Sequence, residues 1–145
     1  ECDIFIGVAA VADFKPVAAA EQKIKKQHDA EPLTEPLTMT LTLVENPDII
    51  ASVAALPTPP FLVGFAAETE NLLAYASDKL NRKGLDLIVA NDVADNRIGF
   101  NSDNNGTTII SKDKVMPLAI ASKRQVSVQI IQVIADLLNT RELSI

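Results

Sequence analysis

Short apolar runs alternate along this chain with segments of helical periodicity, and small or polar residues follow most of the runs. We predict three buried strands at 3–8, 61–65 and 85–90, and three helices at 46–56, 70–83 and 122–138. Alternation of strands and helices is typical of an α/β fold in which successive parallel strands are joined by helical crossovers. The pattern therefore predicts a Rossmann-like, mostly parallel sheet with helices on both faces.

Residues that commonly cap helices set the expected boundaries of the first two helices. Asn46 is predicted to cap the first helix, with Pro47 in its first turn. Thr69 is predicted to cap the second helix, and Gly84 supplies the left-handed position that ends it. Each of these helices is followed by a predicted strand, as repeated strand–helix units require.

The C-terminal third of the chain predicts a late antiparallel hairpin and a final helix. Thr107–Ser111 and Val115–Leu118 are expected to pair around the turn at 112–114. Ser122 and Gln125 form a capping box for the helix that follows. Apolar residues of this helix recur on one face, which we expect to be buried: Val126, Ile130, Val133, Ile134 and Leu137.

Three segments near the amino terminus do not follow the pattern of buried strands and helices. Ala9–Pro16 is expected to be a loop of small residues, and Met39–Val44, where apolar residues alternate with threonine, a strand with one solvated face. Val17–Pro36 is rich in Lys, Glu, Gln and Pro, so we expect it to be mobile until a ligand orders it.

Length, composition and charge narrow the classes of function. A chain of 145 residues with 48% apolar residues can form one domain with a buried core. The formal net charge of −6 argues against a nucleic acid partner, and the apolar runs are too short to span a membrane. Cys2 and His28 are the only residues of their types, which argues against disulfides and zinc sites and favours the cytoplasm. Without an initiating Met, we interpret the chain as a piece of a longer protein.

Polar residues follow the apolar run at 85–90, in Asn91-Asp92 and again in Gly99–Asn105. Open α/β sheets bind ligands beyond the carboxyl ends of their strands, so this region is a candidate site. The alternative is a cluster of turns, because Asn and Asp side chains bond readily to their own backbone.

Small residues at Gly7–Asp13 also follow a predicted strand and would let a ligand approach the backbone. Asp13 could contact a ribose hydroxyl or a phosphate-bound metal, or simply form a turn. The segment is neither a GxGxxG nor a Walker A motif. Gly64 would likewise permit close approach of a ligand to the backbone, and Phe65, which follows it, could pack on a flat base or be an ordinary core residue.

Lysines are the candidate cations for a polyphosphate ligand. They lie in the Lys23–Lys26 motif and at Lys79 and Lys83, whose spacing of four puts them on one helix face. The helix start at Pro47–Ile50 offers N–H groups to an anion. The alternatives are solvated surface lysines and a plain capping turn.

Seven motifs follow one another along the chain: 9–14 (AAVADF), 23–26 (KIKK), 46–49 (NPDI), 64–69 (GFAAET), Lys79-x-x-x-Lys83, 90–93 (ANDV) and 99–104 (GFNSDN). Together they resemble the bacterial phosphopantothenate–cysteine ligase family, also called phosphopantothenoylcysteine synthetase. In most bacteria this ligase is the C-terminal half of a bifunctional coenzyme A biosynthesis protein. The N-terminal half is an FMN-dependent decarboxylase.

The resemblance implies a two-step reaction with Mg²⁺. CTP and 4′-phosphopantothenate give an acyl-cytidylate and pyrophosphate, and the amine of L-cysteine then forms the amide and releases CMP. It implies a homodimer for the complete ligase. The chain would be the CTP-binding portion of the ligase domain, without the preceding ligase segment and the decarboxylase half. Alternatives are a non-catalytic module that binds CTP or CMP, and an interaction domain without a ligand.

The resemblance also implies which residues form the site. Lys23 matches the family lysine of amide formation and is the candidate catalytic residue. Asp13 is the candidate metal ligand. The nucleotide-binding residues that it implies are Gly7, Val8, Ala9, Asp13, Lys23, Pro47, Asp48, Ile49, Ile50, Phe65, Lys79 and Lys83.

Overall fold

The structure, a computed structural model, describes residues 2–25, 38–93 and 102–142, with the side chains of residues 141 and 142 left out of the description. The described chain forms two compact units, residues 1–9 with 49–145 and residues 10–48. In chain order its elements are β1 (Ile4–Gly7), β2 (Phe14–Pro16), β3 (Leu43–Glu45), α1 (Ile49–Ala54), β4 (Phe61–Glu68), α2 (Leu72–Arg82), β5 (Leu87–Asp92), β6 (Asn104–Asn105), β7 (Thr107–Ser111), β8 (Val115–Pro117), β9 (Ala121–Ser122) and α3 (Lys123–Glu142).

The first unit is built on a five-stranded mixed sheet with the order β1-β4-β5-β7-β8. Strands β1, β4 and β5 are parallel, and β7 and β8 form an antiparallel hairpin beside β5. The predicted fold class is therefore confirmed: the sheet is Rossmann-like, with parallel strands at its centre and a late antiparallel hairpin. β6 and β9 pair separately as two residues each.

Helices cover both faces of this sheet because side chains of the buried strands alternate between two apolar layers. On one face Val63, Leu87 and Ile109 contact the apolar stripe of α3, which includes Val126 and Ile134. The predicted buried face of the last helix is thus confirmed. On the other face, residues of the same strands pack against α1 and α2: Leu62, Ala66, Ile88, Ala90 and Ile110.

Hydrogen bonds at the end of α2 explain where the following strand begins. Gly84 has a φ of 65°, and the Leu85 N–H donates to the Leu80 carbonyl oxygen at 2.9 Å, which completes a Schellman ending. The next residue, Asp86, accepts the Leu62 N–H at 2.8 Å through its carboxylate. Because both residues serve these bonds, the strand starts at Leu87 instead of the predicted 85. Its last two residues, 91 and 92, are strand residues and not the loop that we predicted.

Two predicted helix caps are wrong. Asn46 does not cap α1, because its side-chain amide donates to the Ala12 carbonyl oxygen at 2.8 Å and the helix starts three residues later. Thr69 does not cap α2, because β4 continues to Glu68 and the cap position is Asn71. The capping box of α3 is confirmed by bonds between Ser122 and Gln125.

Two strands near the amino terminus also differ from prediction. Phe14–Pro16, predicted to be part of a loop, pairs antiparallel with Leu43–Glu45, and the predicted strand at 39–44 is ordered as a strand only from 43. All residues of both strands are exposed. β1 was predicted to be buried, but it is an edge strand of the described sheet, and Ile6 is 38% exposed. Among the described residues, every helix is too short or too polar to span a lipid bilayer.

Candidate functional site

In the first unit the pairing of β1 with β4 ends at Gly7, and we call the edge of β4 beyond this point the carboxyl-end crevice. The Phe61 N–H donates to the Asp3 carbonyl oxygen at 2.8 Å, so the odd-numbered residues of β4 direct their backbone groups toward β1. The register between the strands ends at Gly7 opposite Gly64. The next carbonyl on this edge, that of Phe65, therefore lies beyond the last paired residue of β1, at the carboxyl end where ligands bind in such sheets.

Lys79 reaches this edge from α2. Its Nζ donates to the Phe65 carbonyl oxygen at 2.9 Å, in a partly buried position. The structure thus brings together two residues that the sequence pointed to separately. A cation held at the carboxyl ends of parallel strands adds positive charge where such sheets bind ligands, which suits an anionic ligand.

The two glycines of the crevice have a packing role. A Cβ atom at Gly7 would lie 3.1 Å from Ile50 Cδ1, and one at Gly64 would lie 2.6 Å from Leu85 Cδ1. The sequence suggested that these positions are small so that a ligand can approach. The described structure shows that the side chain of Leu85 fills the space next to Gly64. The absence of a side chain at Gly64 therefore makes room for Leu85 in the core.

Lys83 lies one turn after Lys79 on α2, as the spacing predicted. It is the C-cap residue, and its backbone N–H donates to the Lys79 carbonyl oxygen at 3.0 Å. Both lysines are half-buried. Of the remaining predicted residues in this unit, Val8 and Ala9 are exposed just after β1, while Ile49 and Ile50 open α1.

The other predicted residues belong to the second unit. Asp13 and Lys23 are exposed, and the Asp13 backbone carbonyl accepts the Asn46 N–H at 2.8 Å. Pro47 and Asp48 are exposed at the end of this unit. In the part of the chain that the structure describes, no group of three or more His, Cys, Asp or Glu side chains is placed to hold a metal.

A polar network lies at the carboxyl end of β5, where the sequence predicted a ligand loop. Asn91 Oδ1 accepts hydrogen bonds from Asn105 Nδ2 at 3.0 Å and from Thr107 Oγ1 at 2.9 Å. Thr107 is only 4% exposed, and Asn105 Oδ1 is buried without a partner among the described groups. Sequence reasoning missed Thr107, although its place at the start of the predicted hairpin strand was a usable signal.

Other parts of the predicted polar loop lie outside the described residues. These are Gly99, Phe100 and Asn101, and the same holds for Lys26 of the lysine motif and for residues 26–36 of the predicted mobile stretch. Two surface depressions of about 230 and 390 Å³ flank the turn at 112–114. Neither contains a predicted site residue, and both lie near the amino end of β5, away from the crevice.

Comparison with known proteins identifies the family. Residues 1–138 match the family described as DNA/pantothenate metabolism flavoprotein C-terminal domain. The chain belongs to this family. The resemblance that the seven motifs suggested is therefore confirmed, and the match covers both units of the fold.

Curated relatives carry the name coenzyme A biosynthesis bifunctional protein CoaBC. The protein of Vibrio vulnificus (strain YJ016) is 46% identical over 137 residues, which cover 94% of this chain and 33% of that protein. The protein of Escherichia coli (strain K12) is 51% identical over 119 residues, which cover 80% of this chain and 28% of that protein. The chain thus spans about a third of the length of the relatives that it matches.

A solved structure supports the same assignment. The crystal structure of the C-terminal domain of coenzyme A biosynthesis bifunctional protein CoaBC superposes with a TM-score of 0.67 at 29% identity. The match covers 95% of this chain and 56% of that chain.

Proposed function

We propose that this chain acts in coenzyme A biosynthesis as the CTP-binding part of a phosphopantothenate–cysteine ligase. The proposal is supported by family membership, by the names of the relatives and by the seven ordered motifs. The observation that carries it is the position of Lys79, whose ammonium group lies at the carboxyl-end crevice between β1 and β4. This is where a sheet of this kind would receive the phosphates of a nucleotide.

The reaction proceeds in two steps. The carboxylate of 4′-phosphopantothenate attacks the α-phosphorus of CTP, so that an acyl-cytidylate forms and pyrophosphate leaves. The amine of L-cysteine then attacks the acyl carbon, the amide bond forms, and CMP leaves. Both steps move negative charge onto phosphate oxygens, so fixed cations and correct positioning supply the catalysis, and no covalent protein nucleophile is needed.

The motif matches indicate a role for each site residue in this chemistry. Lys79 and Lys83 bind the triphosphate from one side of α2, and the Phe65 carbonyl with the backbone at Gly7–Ala9 lines the crevice. The Phe65 side chain packs against the core layer beneath α3, so it is not placed to stack on the base. The segment Pro47–Ile50 contributes backbone contacts to the nucleotide. Lys23 stabilises the charge that develops while the cysteine amine attacks, as its motif match indicates.

Asp13 is our candidate for the Mg²⁺ that accompanies the nucleotide. A protein commonly holds Mg²⁺ through one or two carboxylates together with substrate phosphates. A single exposed carboxylate fits that pattern, and Asp13 is exposed. When bound, the ion neutralises charge on the phosphate oxygens. We further propose that the complete enzyme is a cytoplasmic homodimer.

Calorimetric titration of the intact protein with CTP and with ATP, each with Mg²⁺, tests the nucleotide assignment. We expect CTP to bind and ATP to bind clearly more weakly, because a pocket fitted to a pyrimidine excludes a larger base. Equal affinities would reject it. CTP binding without pyrophosphate release in the presence of 4′-phosphopantothenate would indicate instead a non-catalytic module that binds CTP or CMP.

A single-turnover experiment on Lys23→Ala tests the role of the catalytic residue. We expect the variant of the intact protein to release pyrophosphate and accumulate acyl-cytidylate, while amide formation falls steeply. Lys25→Ala, two residues away in the same motif, is the matched control. Equal losses in both steps would make Lys23 a nucleotide-binding residue only.

A further inference from the structure

The hydrogen bond between Lys79 and Phe65 occupies a position that continued strand pairing would otherwise use. The odd-numbered residues of β4 pair with β1, in a register that ends at Gly7 opposite Gly64. If this register continued by two residues, the Ala9 N–H would donate to the Phe65 carbonyl oxygen. In the structure the Lys79 ammonium donates to that oxygen at 2.9 Å.

We propose that Lys79 is a positioning residue that keeps β1 from extending along β4 and so holds the crevice open. The Phe65 carbonyl oxygen has two lone pairs, and the ammonium keeps the Ala9 amide from the second by its charge and by the space that it fills beside the oxygen. A hydrogen bond from a charged donor is roughly twice as strong as one between neutral groups, so the oxygen keeps the ammonium as its donor. Residues 8 and 9 then leave the sheet, and the edge of β4 stays accessible.

Loss of the Lys79 ammonium would leave the Phe65 carbonyl oxygen without its donor. The Phe65 carbonyl is partly buried, and a buried acceptor without a donor costs free energy. If the ammonium is removed, the nearest donor in the existing register is the Ala9 N–H. Pairing it would lengthen β1 to Ala9 and place backbone where the crevice now lies.

This role concerns the protein without ligand, so it can be true or false independently of CTP binding. Its consequence for catalysis does rest on the proposed function. There Lys79 would shape the site before the nucleotide arrives, which reduces the cost of ordering on binding.

Amide hydrogen exchange at single-residue resolution, on the intact protein without nucleotide, tests the proposal. In the unmodified protein we expect the Gly7 amide, which lies in the ladder, to exchange slowly and the Ala9 amide to exchange fast. Protection of Ala9 in this protein would overturn the proposal without any variant.

In Lys79→Met, which keeps most of the apolar stem, we expect the Ala9 amide to exchange about fivefold more slowly, as one added hydrogen bond would produce. Lys79→Arg retains a charged donor and should leave Ala9 fast. Lys83→Met removes a cation from the same helix and should also leave it fast. Unchanged exchange at Ala9 in Lys79→Met would overturn the proposal. Lys79 would then only donate a hydrogen bond to Phe65, without limiting the length of β1.

A double-mutant cycle gives a second readout. Ala9→Pro removes the N–H that the proposal recruits, so it should destabilise Lys79→Met more than it destabilises the unmodified protein. An equal cost of Ala9→Pro in the two backgrounds would contradict the recruitment of Ala9. CTP affinity plays no part in either measurement, so failure here leaves the nucleotide assignment intact.

Discussion

The middle of strands β4 and β5 and the carboxyl ends of the same strands differ in burial and in polarity. Leu62, Val63, Ile88 and Val89 are at most 1% exposed and carry only apolar side chains. A few residues further on, Glu68, Asn91 and Asp92 are partly exposed and polar. One pair of strands thus provides an apolar core at its middle and polar side chains at its carboxyl ends. Substitutions in the middle should therefore change stability, and those at the ends should change binding.

The largest effect is expected from a deletion in the middle. Leu87 is 0% exposed and packs in the layer beneath α3, so Leu87→Ala should lower the free energy of unfolding by about 2–5 kcal/mol. Leu43→Ala is the control, because Leu43 is 50% exposed in β3 and its loss should cost about 0.5 kcal/mol or less. Urea denaturation of both variants checks this. Similar losses would mean that the contrast in burial does not govern stability.

Overpacking of the middle gives the next effect. A Cβ at Gly64 would meet Leu85 Cδ1 at 2.6 Å, so Gly64→Ala should cost about 1–3 kcal/mol. At Gly7 the contact would be 3.1 Å, to the flexible end of the Ile50 side chain, and Gly7→Ala should cost less. A larger loss at Gly7 would show that the edge next to the crevice is packed more rigidly than the centre. Thermal unfolding of the two variants is the measurement.

A smaller effect is expected at the carboxyl end of β5. Thr107→Val keeps the shape of a buried side chain but removes the hydrogen bond to Asn91, and should cost about 1–2 kcal/mol. Thr108→Val, at the neighbouring position on the opposite face of β7, is the matched control and should cost less. If the two variants unfolded at the same denaturant concentration, the network would not stabilise this end of the strand.

Local signals in the sequence predicted much of the fold. Gly84 ends α2 with the expected left-handed conformation, and Ser122 and Gln125 form the expected capping box. The hairpin of β7 and β8 turns at 112–114 as predicted. Each of these features depends on residues within a few positions of one another, which is why a single sequence reveals them.

Features that depend on distant partners were not predictable. β5 starts at Leu87 because the Asp86 side chain bonds to Leu62, 24 residues away. Asn46 does not cap α1 because it bonds to the Ala12 carbonyl, 34 residues away. In both cases a tertiary hydrogen bond overrides the local preference, and the sequence does not specify that partner.

In the candidate site, too, the features that depend on nearby residues were predictable and those that depend on distant partners were not. Spacing alone placed Lys79 and Lys83 on one helix face, and the polar residues after the strand at 85–90 marked its carboxyl end. The contact between Lys79 and Phe65 could not be derived, because it depends on where β1 ends along β4. Similarly, the network around Asn91 requires the antiparallel register that sets Asn91 opposite Thr107.

CTP affinity in two lysine variants is the most direct test of whether nucleotide binds at the carboxyl-end crevice. Lys79→Met removes the cation at the crevice, and Lys114→Met removes an exposed cation near the amino end of β5. Calorimetry on the intact protein with Mg²⁺ should show that Lys79→Met weakens CTP binding by about 1–3 kcal/mol, as expected for a lost hydrogen bond to a charged group. Lys114→Met should bind CTP as the unmodified protein does. Unchanged affinity in Lys79→Met, or equal losses in both variants, would contradict nucleotide binding at the carboxyl-end crevice.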